Sequence, residues 1–278
     1  NSGFNVNSCQ ALEIALSNSN YYMVERILEK KAYVSIETWQ KHWTDVFLFC
    51  TDKQVINFIN NYPDNVNVSN FNSGYTPLIC AASRQTNPSK IIKLLIERGA
   101  DVNSKAHDGT TPLINALIWN NLEAAKLLVA NGANTNIKSK DNGWTPLIYT
   151  AGNTNAVELV NLLLEKKSDI NAKATDKIGW TPLLRAMAQM NYEVAKNLIN
   201  KGADINVKQK DSCWTPLFYA ACETKAAELV KMLVEKGADI NIKGSQFGET
   251  PLQLALVYNN FDMAKYLIEK GADVNTKD

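Results

Sequence analysis

The sequence predicts an all-α repeat solenoid of stacked helix-turn-helix units with projecting β-hairpin loops. Three observations carry this expectation. Thr-Pro-Leu occurs six times, beginning at Thr76, Thr111, Thr145, Thr181, Thr215 and Thr250, at intervals of 34 to 36 residues. Each copy holds two short apolar stripes at helical spacing, and each pair of copies is joined by a short turn-forming segment. A fixed period in this range marks units too small to bury their own core, which stack on their neighbours instead.

The last copy, residues 250–275, shows how each element arises. Thr250 is a good N-cap, accepting from a backbone N–H of the first turn. Pro251 follows at the first helical position, where a missing N–H costs nothing. Leu252, Ala255 and Leu256 then fall at i, i+3 and i+4, the buried stripe of a short first helix. Asn259-Asn260 breaks it, and Met263, Ala264, Leu267 and Ile268 form the apolar face of a second helix. Gly271 ends that helix in the left-handed region, and Ala272-Asp273-Val274-Asn275 leads towards a hairpin.

The other copies obey the same plan, with two informative substitutions. Gly74, Gly109, Gly143, Gly179 and Gly248 stand two or three residues before the proline, which suits a tight hairpin. Cys213 takes that place once, predicting strain or a different turn. Lys167 stands where the other five copies have the glycine that ends the second helix.

The pattern G-x-T-P-L, a helix pair, then G-A-D-x-N covers residues 74 to 275 and resembles the ankyrin repeat family. The resemblance implies antiparallel helix pairs stacked side by side, hairpins at about right angles to them, and a concave face that binds proteins. One family feature is absent. The histidine that usually follows Thr-Pro-Leu is replaced by Ile79, Ile114, Ile148, Leu184, Phe218 and Gln253. In the family it ties neighbouring hairpins by hydrogen bonds, so apolar packing is expected in its place.

A second period lies inside the first. The first, third and fifth copies carry extra residues between their helices (SRQTNPSK, GNTNAVE, CETKAAE), whereas the second, fourth and sixth are tight (IWNNLE, AQMNYE, VYNNFD). Two readings fit: duplication by pairs, or two alternating rows of functional loops. Upstream, residues 11–34 align without gaps to 251–274, and a weaker copy runs from about Thr44 to Asn67. Residues 1–68 are therefore expected to be degenerate N-terminal repeats forming a cap, and 69–278 to be six full repeats. The chain stops at Asp278, just inside another hairpin, so either the sixth copy is itself a cap or something was truncated.

Composition narrows the function. A net charge of +1 argues against a general polyanion binder, so no nucleic acid is expected. No apolar run approaches membrane-spanning length, and no membrane contact is expected. The cysteines Cys9, Cys50, Cys80, Cys213 and Cys222 are scattered, odd in number and without CxxC spacing. Free thiols in a reducing compartment follow, making a cytoplasmic setting the default and a secreted effector the open alternative. Only two histidines occur, His42 and His107, and no catalytic or phosphate-binding motif is present, so neither enzyme activity nor a cofactor is expected. The Asp and Asn of the GADVN segments are better explained as turn formers than as metal ligands. Lys126, Lys196, Lys231 and Lys265 each follow an acidic residue by three positions on the second helix, a solvated ridge of weak pairs.

What remains is a surface. The residue before each Thr-Pro is Tyr75, Thr110, Trp144, Trp180, Trp214 or Glu249. In the family this position faces the concave side and contacts partners; equally, each indole can pack on the next hairpin in place of the missing histidine. Positions four and eight after Thr share one face of the first helix and read Cys80/Arg84, Asn115/Trp119, Tyr149/Asn153, Arg185/Gln189, Tyr219/Glu223 and Leu254/Tyr258. Tyr, Trp and Arg are the residue types favoured at protein interfaces. The expected partner-binding set is Tyr75, Trp119, Trp144, Tyr149, Trp180, Arg185, Trp214, Tyr219, Glu223 and Tyr258, centred on the third to fifth full copies. The expectation is a monomeric, non-enzymatic scaffold that holds a partner protein in its groove. The alternatives are a targeting or regulatory region of a larger protein or secreted effector, and a small-molecule binder using the aromatic groove.

Overall fold

The computed structural model describes residues 3–30, 34–86, 88–244 and 248–275. Among these residues are sixteen α-helices, two short 3-10 turns and no strand. The chain divides into two compact units, Asn1–Asn134 and Thr135–Asp278. The tip of the last hairpin, residues 245–247, and the start of the expected next one, 276–278, lie outside the described residues.

The first unit holds α1 (Gly3–Ser17), α2 (Tyr21–Glu29), α3 (Ile36–Phe49), α4 (Asp52–Asn61), α5 (Pro77–Ser83), α6 (Pro88–Glu97), α7 (Pro112–Ile118) and α8 (Leu122–Ala130). First helices pack on first helices (α1 on α3, α3 on α5, α5 on α7), and second helices likewise (α2 on α4, α4 on α6, α6 on α8). Trp43, Phe47, Leu78, Ile79, Ile91, Leu95 and Leu113 are fully buried between the layers. The N-terminal copy keeps the register expected from residues 251–274: Ser19 and Asn259 are both left-handed, at φ 53° and 56°. The second copy departs from expectation. Its first helix runs from Ile36 to Phe49 with Ser35 as N-cap, so Thr44 lies inside the helix and caps nothing. Its second helix starts with a capping box of Thr51 and Gln54.

The second unit holds α9 (Pro146–Ala151), α10 (Val157–Glu165), α11 (Pro182–Ala188), α12 (Tyr192–Asn200), α13 (Pro216–Ala221), α14 (Ala227–Glu235), α15 (Pro251–Val257) and α16 (Phe261–Glu269). The rows α9, α11, α13, α15 and α10, α12, α14 pack in sequence. Thr145, Thr181 and Thr250 cap their helices through the side chain, as Thr76 and Thr111 do in the first unit.

The loops between copies form no strand among the described residues. A backbone bond closes the turn in each of three loops: Ser139 N to Trp144 O at 2.9 Å, Ala174 N to Trp180 O at 2.8 Å, Gln209 N to Trp214 O at 2.9 Å; in the first of these Gly143 N also donates to Ser139 O at 3.0 Å. Cys213 keeps the left-handed turn of its glycine counterparts, at φ 56°. Two residues later, Thr215 makes no side-chain cap and its Oγ1 is buried without a partner. Lys167 is left-handed at φ 62°, as its register requires.

Positions 79, 114, 148, 184 and 218 are buried apolar side chains, as the missing histidines predict. Polar ties between loops nevertheless exist, and asparagine supplies them. Asn136 accepts from Asp169 N at 2.8 Å and donates to Lys167 O at 3.1 Å, holding the helix end of the next copy. Asn67, Asn103, Asn206 and Asn241 repeat the same pair of bonds in their own units. The aspartates stay local, each accepting from the N–H two residues on, as Asp169 does from Asn171 at 2.9 Å.

The alternation of tight and long copies also has a structural use. In every tight copy a left-handed residue (Asn120, Met190 or Asn259) precedes a buried asparagine (Asn121, Asn191 or Asn260). Asn191 Nδ2 donates to Ala151 O at 3.1 Å, the last carbonyl of α9, and to Asn153 O just beyond it at 2.6 Å. Asn121 does the same to Ala82 O and Arg84 O, and Asn260 reaches Ala221 O. The tight copy thus caps the first helix of the long copy before it.

Candidate functional site

The second unit gathers most of the expected partner-binding residues. Trp144 and Trp180 are half-buried and pack against Ile148, Ala172 and Ala174. Both lie just before a threonine cap, so the hairpin-closing bond fixes their backbone. Arg185, four residues into the next copy, reaches back between them. Its guanidinium carbon lies 4.9 Å from the Trp144 ring centre and 5.5 Å from that of Trp180. Cations over indole faces gain about 0.5–2 kcal/mol, more as water is excluded. Tyr149 completes this group, 5.0 Å from Trp144 and tilted by 60°.

The second group is built on Trp214, stacked on Phe218 at 6.0 Å and edge-on to Tyr219 at 5.2 Å. Burial pushes the Tyr219 hydroxyl above the usual tyrosine range, opposed by a hydrogen bond with Gln209 and by the positive charge of Arg185. Burial in turn lowers Arg185 from its ordinary value. The two groups stand on consecutive first helices, α9, α11 and α13, which pack in sequence.

The indoles are also structural. Trp144 Nε1 donates to Asp176 Oδ2 at 2.6 Å, and Trp214 Nε1 to Glu249 Oε1 at 3.4 Å, each bond reaching the loop of the next copy. The tryptophans therefore tie hairpins together while still showing part of a ring face.

The remaining expected residues fall elsewhere. Tyr75 and Trp119 belong to the first unit, Tyr75 half-buried and Trp119 58% exposed. Burial raises the Tyr75 hydroxyl above its usual range. Glu223 precedes the 3-10 turn Thr224–Ala226 and lies near Tyr192. Tyr258, 52% exposed, joins Trp214, Leu254, Val257 and Glu249 around an open depression of about 590 Å³. Two participants were missed from the sequence. Gly152 makes room for Arg185, since a Cβ there would sit 2.9 Å from Nε. Asp176 was passed over because its partner is 32 residues away. The signal was present in the period: a residue one repeat on from Trp144 belongs to the neighbouring loop.

Elsewhere, Lys196 of the charged ridge meets Glu193 at 3.3 Å and Glu228 of the next copy at 2.5 Å. Among the described residues no helix is long and apolar enough to cross a membrane, and no cluster of His, Cys, Asp and Glu has the arrangement of a metal site.

Comparison with known proteins agrees with this architecture. The family described as "Ankyrin repeats (3 copies)" matches residues 12–106, 46–139, 87–174, 131–209 and 208–278. BCL-6 corepressor-like protein 1 of Homo sapiens is 38% identical over 91 residues, 33% of this chain and 4% of that protein. Fibronectin type 3 and ankyrin repeat domains 1 protein of Mus musculus is 49% identical over 55 residues, 20% of this chain and 16% of that protein. Protein phosphatase 1 regulatory subunit 12A of Mus musculus is 46% identical over 59 residues, 21% of this chain and 6% of that protein. The chain thus matches only a small part of the length of these relatives.

Proposed function

Since this chain belongs to the ankyrin repeat family, we propose that it is a non-enzymatic scaffold that binds a partner protein across Trp144, Tyr149, Trp180, Arg185, Trp214 and Tyr219. Ankyrin repeats are in general protein-interaction modules. The observation that carries the reading is the stack of Arg185 between two half-buried indoles. Such a cluster is rigid before binding, so docking costs little side-chain entropy. It also presents Trp, Tyr and Arg, the residues that dominate interface energetics. The depression beside Trp214 and Tyr258 is open rather than enclosed, which favours a protein surface over a small ligand.

Affinity capture with the wild-type chain and with a Trp180→Ala/Tyr219→Ala double variant, followed by titration of the captured protein, tests this. Binding should weaken by about tenfold or more in the double variant, as for loss of two interface anchors. Unchanged binding by a folded double variant overturns the proposal.

A second reading is favoured by the relatives, in which the matched segment is a small share of a longer protein. In that case the repeats serve as a targeting or regulatory region. The full-length coding sequence tests it, through the presence or absence of a catalytic domain on the same chain.

A further inference from the structure

We propose that the partner segment docking on this surface is an acidic peptide, one carboxylate of which sits on the Arg185 guanidinium. This rests on the interaction surface proposed above and names the chemistry it recognises. Of the four arginines, three have partners. Arg84 donates to Phe47 O, to Cys50 O at 3.0 Å and to Asp52 at 2.8 Å; Arg98 donates to Asn60 at 2.7 Å; Arg26 lies 3.6 Å from Glu29. Arg185 has neither a hydrogen bond nor an ion pair among the described residues, although it is half-buried.

Two acids of the neighbouring loops are already engaged. Asp176 is taken by the Trp144 indole, and Glu249 by that of Trp214. The indoles hold the guanidinium by its face, and the planar fork remains suited to a carboxylate. Burial destabilises the lone cation, and an arriving anion would relieve that cost.

The surroundings carry the same sign. The loops 136–144, 171–180, 206–214 and 241–249 hold seven lysines against four carboxylates, in a chain whose net charge is only +1. Among the loop lysines, Lys210 already donates to Asp176 O at 3.1 Å and Ala174 O at 3.5 Å. A single open guanidinium matches a monoanionic carboxylate better than a dianionic phosphate, and the flanking aromatic faces suit the apolar neighbours of an acidic residue in a peptide.

The test is selection of a random peptide library on the full chain, with the selected peptides re-measured against variants. Enrichment of Asp or Glu is expected, with affinity falling about tenfold or more when that residue is changed to Asn or Gln, the worth of one charge-assisted hydrogen bond or more. Arg185→Gln should abolish the preference for acid. The peptide-side substitution decides the matter even if that variant folds poorly. Peptides lost with Trp180→Ala/Tyr219→Ala but indifferent to acid would leave the surface standing and overturn the carboxylate. Stronger binding by a phosphoserine at the same position would overturn it too. Peptides indifferent to every variant, or a failure to select any, would overturn both proposals.

Discussion

Asn191 Nδ2 donates to the carbonyl of Asn153 at 2.6 Å, a contact between the second helix of one copy and the first-helix end of the copy before it. It links two facts that are separate in sequence, the tight turn at Met190 and the long connection after Gly152. Asn191 is 3% exposed and is a donor to the Ala151 carbonyl, while the Asn153 carbonyl also accepts from Ala156 N at 3.3 Å. Replacing Asn191 by Ala should destabilise the chain by about 1–3 kcal/mol, the cost of leaving the buried Ala151 carbonyl unsatisfied. Urea denaturation checks this; Asn155→Ala, at an exposed position of the same connection, should change little.

The left-handed residues make opposite predictions according to type. Lys167→Gly and Cys213→Gly should each stabilise by up to about 1 kcal/mol, because both positions have φ near 60° and glycine carries no Cβ penalty there. Thermal melting of the two single variants and their combination is the measurement. At Cys213 a further gain is expected if relaxation lets Thr215 cap its helix, since that hydroxyl is now buried without a partner.

Glycines of one φ sign should differ sharply by neighbourhood. A Cβ at Gly143 would lie 2.8 Å from Thr175 N, whereas at Gly202 it would meet nothing within 4 Å. Gly202→Ala should therefore cost only the left-handed penalty, about 1–2 kcal/mol. Gly143→Ala should cost visibly more, since the facing loop must move. Equal losses in denaturation would mean the loops are not packed as described.

The thiols should be slow to react in the folded chain. Burial pushes Cys80 up to about 12, and Cys50 and Cys222 up to about 11, from 9.0. At pH 8 these three stay protonated, so iodoacetamide in a Cys9→Ser background should label Cys213 first. The raised values also set a sign for stability. The unfolded thiols ionise first, so folding stability contributed by these groups is intact below about pH 9 and declines as pH rises through 11 and 12. Mass spectrometry of labelled peptides and melting at pH 8 and 10 give the two readouts.

Much of the fold was legible because Thr, Pro and Gly carry local meaning. A capping threonine, a proline at the first helical position and a left-handed glycine each specify a backbone state without knowing their neighbours. Where those markers were missing, boundaries slipped: the second copy was expected to begin at about Thr44, yet its first helix runs from Ile36 to Phe49. The aromatic and arginine positions of the candidate surface were visible as a count from each threonine. Their chemistry was not. The bonds from Trp144 to Asp176 and from Asn191 to Ala151 join residues 32 and 40 apart, and their partners are set by the stacking of copies. The tight copies did carry a readable sign of the second contact, since Asn121, Asn191 and Asn260 each stand just before a second helix.

Hydrogen–deuterium exchange of the full chain, with and without a partner captured by the wild type, tests the interaction surface most directly. The predicted result is protection on binding at loops 136–144, 171–180 and 206–214 and at α9, α11 and α13, which carry Tyr149, Arg185 and Tyr219. Protection confined to α10, α12 and α14 would contradict it.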